Sequence, residues 1–416
     1  KAMVNELPEG VTYEVAFDPT TFIDDSIHEV VKTLLEAIVC VVIVIFLFLQ
    51  NWRTTLIPSI TIPVSLVGTF FVMYLMGYSI NVLTLLVDPR RITLGFRQCV
   101  PAAVKVIEAM NPSTLLKSRK SEAEAAHIRE AMRQDGAAMC EFYAWFEAAL
   151  GRERITELTV DEKLSAARAA RPGFVGLSFS TIAGFNANGA LPHYRAMPDA
   201  FSWLDGEGLL LIDSGGQYRG GTTDITRMWA IGAHVDPAQR RDCTRVLQGM
   251  INLSRACFPR GTPGPMLDAL ARAPLWQHGL DFGHGTGHGV GYFLNVHEGP
   301  QNISRAVPEP QMAMEPGMIT SNEPGLYRPG QWGVRIENLV LNVPLDTPEQ
   351  GRFGDMLAFE TLTLCPIDTR LVDTALMRPD EIAWLNDYHA TVRQRLSPLL
   401  SGDALAWLLR RTEPLG

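Results

Sequence analysis

The stretch "GLLLIDSGGQYRGGTTDITRMWAI", Gly208 to Ile231, decides how the second half of this 416-residue chain is read. An apolar run, Leu209 to Ile212, ends at Asp213, a glycine-rich turn surrounds Arg219-Gly220-Gly221, and "TDITRMW" then alternates polar and apolar as a half-buried strand does. The pattern predicts a hairpin that folds back near Tyr218 and Arg219. Asp213 and Asp224 then stand opposite one another, with Cβ atoms about 4.5–5.5 Å apart. Two carboxylates that close repel unless a cation or a proton lies between them.

A second stretch, "TSNEPGLYRPGQWGVRIENLVL", repeats the design, with Glu323 and Glu337 flanking a Pro329-Gly330 turn and "GVRIENLVL" as the returning strand. One acid at a strand end is ordinarily a solvated turn residue. Four of them in two hairpins, each closing an apolar strand, point to a cation site.

Between the hairpins, "DFGHGTGHGVGYFLNVHEG" holds His284, His288 and His297. His284 and His288 have the i, i+4 spacing of a helical zinc motif, but Gly283, Gly285, Gly287, Gly289 and Gly291 make a helix there very costly. In an extended or looped chain the three rings need not converge, which argues against a three-histidine zinc centre. One histidine with four carboxylates has formal charge −4 and suits two hard divalent cations, Mn²⁺ or Co²⁺ before Zn²⁺.

The rest of the composition bounds these readings. A chain 47% hydrophobic predicts two or three ordered domains, and a net charge of −9 without basic runs excludes a general nucleic-acid binder. Six scattered cysteines without a C-x-x-C pair read as free thiols of a reducing compartment. The basic residues after Leu86, namely Arg90, Arg91, Arg97, Lys105, Lys117, Arg119 and Lys120, read as the surface of a soluble domain. Ser121 with Glu124, and Thr159 with Glu162, read as capping boxes that open helices.

The first 86 residues differ from all of this. Ala37–Leu49 and Leu56–Tyr78 carry no charge, and the second run reaches the roughly 20 residues that span a bilayer. With "QNWRTT" between them they predict a transmembrane hairpin at about 34–50 and 56–78. "LPEGVTYEVAFDPTTFIDDSIHEVVKTLLEAIV", "FLFLQNWRTTLIPSITIPVSLVGTF" and "GYSIN" resemble the resistance-nodulation-division efflux pumps. Such pumps couple protons through carboxylates on a later helix that has no counterpart here, so the fragment does not transport by itself.

From Val87 to about Pro398 a second resemblance takes over. "LPHYR", "LLIDSGGQYRGGTTDITR", "HGTGHGVGYFLNVHEGP", "MITSNEPGLYRPGQWGVRIEN" and "FETLTLCPIDTRLVDTALM" resemble the X-Pro aminopeptidases of the creatinase/aminopeptidase group. The resemblance implies an α+β pita-bread catalytic domain with Asp213, Asp224, His288, Glu323 and Glu337 as ligands of two divalent cations. It implies that His193, His284 and His297 line the substrate site and that the substrate's free amino group reaches a metal. A hydroxide bridging the cations would attack the X-Pro bond, Glu323 would shuttle the proton to the leaving nitrogen, and His297 with His193 would stabilise the oxyanion. Arg335 would hold a ligand carboxylate from behind.

The expected organisation is a pump-like fragment over 1–86, a remnant of the family's non-catalytic domain over 87–112, and a peptidase domain over 113–416 with a tail from about 366. That makes the chain a chimera. Its partners are peptides with proline at the second position and a second copy of the peptidase domain. The peptidase is expected in the cytoplasm, with membrane association through residues 34–78. Three other readings stand beside the aminopeptidase: an X-Pro dipeptidase, a metal-poor binding pseudoenzyme, and a membrane transporter component.

Overall fold

The computed structural model describes residues 84–101 and 104–416, together with Lys32 and Glu36, and the chain divides into two units. One unit holds residues 1–86 and 92–107, and its described part includes the short helix Leu94–Cys99, capped by the Thr93 hydroxyl. The predicted transmembrane hairpin lies outside the described residues, among which no helix is long and apolar enough to cross a membrane. The other unit, 87–91 and 108–416, carries both carboxylate hairpins.

In this second unit, strands β1 (Ile182–Phe185), β2 (Gly208–Ser214) and β3 (Ile225–Ile231) form an antiparallel sheet with β2 in the middle. The predicted hairpin is present, but its register differs from the expectation. Tyr218 pairs with Gly221 and Asp213 pairs with Thr226, so the fold-back is centred one residue later than predicted. Asp224 is therefore two positions out of register with Asp213. Nor is β3 half-buried: all seven of its residues are buried, because Thr226 and Arg227 find polar partners inside the protein.

The second hairpin is built from two collinear ladders. Strands β4 (Cys257–Pro259), β5 (Ile319–Asn322), β6 (Gly325–Arg328), β7 (Trp332–Arg335), β8 (Asn338–Leu345) and β9 (Met356–Thr361) pair as β6 with β7 and as a sheet ordered β5-β8-β9-β4. Asn322 faces Asn338 and Gly325 faces Arg335, which leaves Glu323 and Glu337 at matching positions between the ladders. Gly330 turns the hairpin at φ +73°, a conformation that glycine adopts without steric cost.

Helix α1 (Glu122–Ala149) starts at the expected Ser121–Glu124 capping box. Helix α2 (Glu157–Ala169) starts one turn earlier than expected, because Thr156 is its cap and Thr159 the reciprocating residue. Tyr143 of α1, Trp229 of β3 and Trp407 of the C-terminal helix α3 (Gly402–Arg411) stack in the core, with the Tyr143 ring 4.1 Å from Trp229 and 5.7 Å from Trp407. Buried aromatics of this size contribute a large apolar area to the packing of the tail against the sheet. Arg227 is fully buried beside them and donates to the carbonyls of Glu337, Cys365 and Pro366 and to Asn338 Oδ1. One guanidinium thus fastens both hairpins to the C-terminal segment.

Of the basic residues expected on the surface, Arg90, Arg91, Lys105, Lys117 and Arg119 are exposed and Arg97 is half-buried. Lys120 corrects the expectation: it is only 6% exposed, because its ammonium group has a carbonyl partner in the interior. The five described cysteines are free thiols, with Cys140, Cys243 and Cys365 buried.

Candidate active site

Two hydrogen bonds to the Glu337 backbone bring the two hairpins edge to edge. The Glu337 N–H donates to Thr226 O at 3.2 Å, and Arg227 Nη1 donates to Glu337 O at 2.6 Å. The histidine stretch is laid across β5: the Glu323 N–H donates to Thr286 O at 2.8 Å and Gly289 bridges Thr320. A side chain at Gly287 would meet the Ser321 carbonyl, so this close crossing requires glycine.

The result is one cavity of ≈ 310 Å³ lined by Asp213, Asp224, His288, Glu323, Glu337, His193, His284, His297 and Arg335. All nine sequence-predicted residues are there. Phe179, Ile182, Pro192 and Val296 supply an apolar wall that the sequence did not single out.

Within the cavity, Asp224, His288 and Glu337 each offer a ligand atom, and these atoms lie within 4.8 Å of one another. His288 Nε2 is 3.5 Å from both Asp224 Oδ2 and Glu323 Oε1. Its Nδ1 faces the Gly289 carbonyl at 3.1 Å, and since a carbonyl only accepts, Nδ1 carries the proton and Nε2 presents a lone pair to the acids. Asp213 is held differently, by Arg335 Nη2 at 2.6 Å from Oδ2.

The electrostatics call for a cation. Burial, then repulsion from Asp213 and Glu323, pushes Asp224 well above the usual carboxylate range. Burial, then Asp224, does the same to Glu337, and burial raises Glu323. Asp213 Oδ1 and Glu337 Oε1 are buried without a hydrogen-bond partner, an arrangement that costs free energy unless something positive accepts their lone pairs. The donor set is oxygen-rich with one imidazole, and it fits hard or borderline divalent ions.

His284 is occupied elsewhere. Its Nδ1 donates to Gly285 O at 2.7 Å, its Nε2 accepts from the Tyr327 hydroxyl at 2.8 Å, and Tyr327 in turn accepts from Arg335 Nη1 at 2.6 Å. Burial lowers the His284 pKa to about 4, so the ring is neutral at physiological pH. The His297 ring lies 4.0 Å from that of His288, and burial, then His288, lowers its pKa as well.

Sequence reasoning missed three polar residues that position the acids. Thr226 donates to Glu337 Oε2 at 2.8 Å, Ser321 donates to Glu323 Oε1 at 3.2 Å and accepts from the His288 N–H, and Tyr327 links His284 to Arg335. Period-two alternation along each hairpin was the available signal, since Asp224 and Thr226, and Ser321, Glu323 and Tyr327, have the same parity.

Buried carboxylates around one histidine, in a cleft between two hairpins, define a metallohydrolase class of site. Residues 126–343 match the model of "Metallopeptidase family M24" and residues 355–415 that of its C-terminal region, and the chain belongs to this metallopeptidase family, with its pita-bread fold. A Coprinopsis cinerea protein named "Probable Xaa-Pro aminopeptidase P" is 45% identical over 305 residues, 72% of this chain and 49% of that protein. The solved X-prolyl aminopeptidase of Caenorhabditis elegans, described as a cytosolic enzyme with a di-nuclear active site, superposes with TM-score 0.71 at 36% identity, over 75% of this chain and 51% of its own. The Xaa-Pro dipeptidase of Bacillus anthracis superposes with TM-score 0.55 at 27% identity, over 68% of this chain and 73% of its own. The chain spans about half the length of the curated relatives it matches. Residues 1–142 match the AcrB/AcrD/AcrF family, in keeping with the pump-like text of the N-terminal segment.

Proposed function

We propose that this chain is an aminopeptidase that removes the N-terminal residue from peptides with proline in second place. The observation that carries the reading is the convergence of four acids, His288 and three further histidines in one cavity, in a chain similar to X-Pro aminopeptidases. Asp213, Asp224, His288, Glu323 and Glu337 would hold two divalent cations, with Mn²⁺ the first choice for this oxygen-rich set. When bound, such ions polarise the scissile carbonyl and make water nucleophilic at neutral pH.

The residues of the chain do the rest. Glu323 accepts the proton of the attacking water and passes it to the proline nitrogen, whose bond to the carbonyl carbon then breaks. His297, with His193, donates to the oxygen on which charge develops. His284, neutral and fixed by Tyr327, positions the peptide, and Arg335 keeps Asp213 oriented.

The test is turnover of an X-Pro dipeptide and of the tripeptide Arg-Pro-Pro by the Mn²⁺-loaded full chain. Cleavage of both is expected. Cleavage of the dipeptide alone makes the chain a dipeptidase, a reading that the likeness to the Bacillus anthracis enzyme favours. Cleavage of neither makes it a binding protein of the same fold. The domain limits at about 86 and 112, a homodimer through the peptidase domain and insertion of residues 34–78 into a membrane complete the proposal. Sedimentation of 87–416 and of the full chain in detergent checks them.

A further inference from the structure

The segment that enters the catalytic unit, "LLKSRKSE" (Leu115–Glu122), precedes the region matched to the metallopeptidase family, yet it reaches the histidine loop. Lys120 donates its backbone N–H to Gly317 O at 2.9 Å and its buried Nζ to Val290 O at 2.6 Å. Lys117 Nζ lies 2.8 Å from Glu298 Oε2, and that oxygen also accepts from Asn295 Nδ2 at 2.9 Å. Glu298 is only 6% exposed and its Oε1 is buried without a partner.

Both lysines therefore grip the loop Gly289–Gln301, which is narrow at its neck. There the Glu298 N–H donates to Gly289 O at 2.7 Å and the Gly289 N–H to Gln301 O at 3.1 Å. His288 sits just before the neck on one side, and His297 just inside it on the other. Among the described residues no side chain hydrogen-bonds the His297 ring, so apart from its contact with the His288 ring its place follows from the backbone of this loop. The charges agree with the geometry: burial lowers the Lys120 pKa to about 8, and Glu298 is the strongest influence opposing that loss of charge.

We propose that Lys117 and Lys120, on the segment leading into the catalytic unit, act with Glu298 as a clamp that positions His297 over the reacting carbonyl. The clamp rests on the reading of His297 as an oxyanion donor given above. It also makes the segment that leads into the catalytic unit a positioning element of the site.

The test uses the full chain with Mn²⁺ and three variants: Lys120→Met, which keeps the stem and removes the donors, the more exposed Lys117→Met, and the double variant Lys120→Met/His297→Ala. Lys120→Met is expected to lower kcat about 10-fold with KM and bound Mn²⁺ unchanged, since small displacements of a reacting group cost rate. Lys117→Met should fall in the same direction by less, and Lys120→Met should cost nothing further once His297 is gone. Full kcat in Lys120→Met, loss of Mn²⁺ in step with activity, or an additive double variant each overturns the clamp. Hydrogen exchange separates this from failure of the peptidase reading. If the wild type cleaves no X-Pro peptide, the clamp still requires Lys120→Met to speed exchange at Gly289–Gln301 and leave α1 unchanged, and unaltered exchange there overturns it.

Discussion

Glu337→Gln keeps the shape of a buried side chain and removes its charge, and the structure gives it opposite effects with and without cations. In the metal-free protein, burial, then Asp224, Glu323 and Asp213, hold the Glu337 pKa well above its ordinary value of 4.5. A folded pKa above the unfolded one contributes stability that is full below about pH 4.5 and is lost as pH rises through the folded value. Metal-free wild type should therefore weaken from about pH 4.5 upward. The Gln variant escapes that loss and should melt at the higher temperature at pH 8. Cations reverse the order. At 100 times its Kd an ion adds about 2.7 kcal/mol to the wild type. For a unit of roughly 300 residues, with an unfolding entropy of about 2.1 cal/mol/K per residue, that is about 4 °C in Tm. Glu337→Gln should gain little of it, and its activity should fall together with its metal content. Thermal melts with Mn²⁺ titrated against a chelator, paired with metal analysis, read both arms. A variant with the full wild-type Mn²⁺ increment refutes the assignment of Glu337 as a ligand.

Three further outcomes separate the roles of neighbouring groups. His288→Ala should lose metal, whereas His297→Ala should keep it and lose about 10²–10³-fold in kcat; metal analysis beside steady-state kinetics decides, and the reverse pattern would exchange the two roles. Arg335→Met frees the Asp213 carboxylate and should weaken metal affinity by about 10–100-fold in a chelator competition, a loss typical of residues that orient a ligand. His389 is fully buried, accepts the Ile367 N–H at Nε2 and is pushed down from 6.5 to about 4 by burial, so its contribution is full above pH 6.5 and is lost as pH falls toward 4. Linkage makes that about 2 kcal/mol between pH 7 and pH 5, and His389→Gln should remove this much of the pH dependence seen in urea unfolding.

What could be read from the sequence was set by how locally each feature is determined. The second hairpin is symmetric about Gly330, so counting outward from the turn places Glu323 against Glu337, as the ladders do. In the first hairpin Gly220 and Gly221 offer alternative fold-backs, and a one-residue error moved Asp213 from Thr226 to Asp224. Burial of Lys120 was out of reach by any local rule, because its carbonyl partner is 170 positions away and its charge reads as surface until that partner is known. Thr226, Ser321 and Tyr327 were within reach of a strict period-two reading outward from the acids. Residue type alone gives them no role, because hydroxyl side chains on strands are usually satisfied by the nearest backbone or water.

The histidines mark the boundary between what local chemistry encodes and what the fold adds. In "HGTGHG" each histidine precedes a glycine, and each donates Nδ1–H to the carbonyl of that glycine, at 2.7 Å for His284 and 3.1 Å for His288. The repeated dipeptide thus sets the same tautomer twice and leaves Nε2 as the free acceptor in both rings. Nothing in the local sequence then distinguishes them. The difference comes from strands packed across the stretch: Tyr327 brings a hydroxyl to His284 Nε2 at 2.8 Å, while Asp224 and Glu323 bring carboxylates to His288 Nε2 at 3.5 Å. A lone pair that meets a hydroxyl proton is satisfied, whereas one that meets two anions is satisfied only with a proton or a cation between them. It follows that Tyr327→Phe should free His284 Nε2 without making it a metal ligand, because no carboxylate accompanies it. Metal content should stay at the wild-type level, and added metal in that variant would show that tautomer alone, and not the facing acids, selects the ligand.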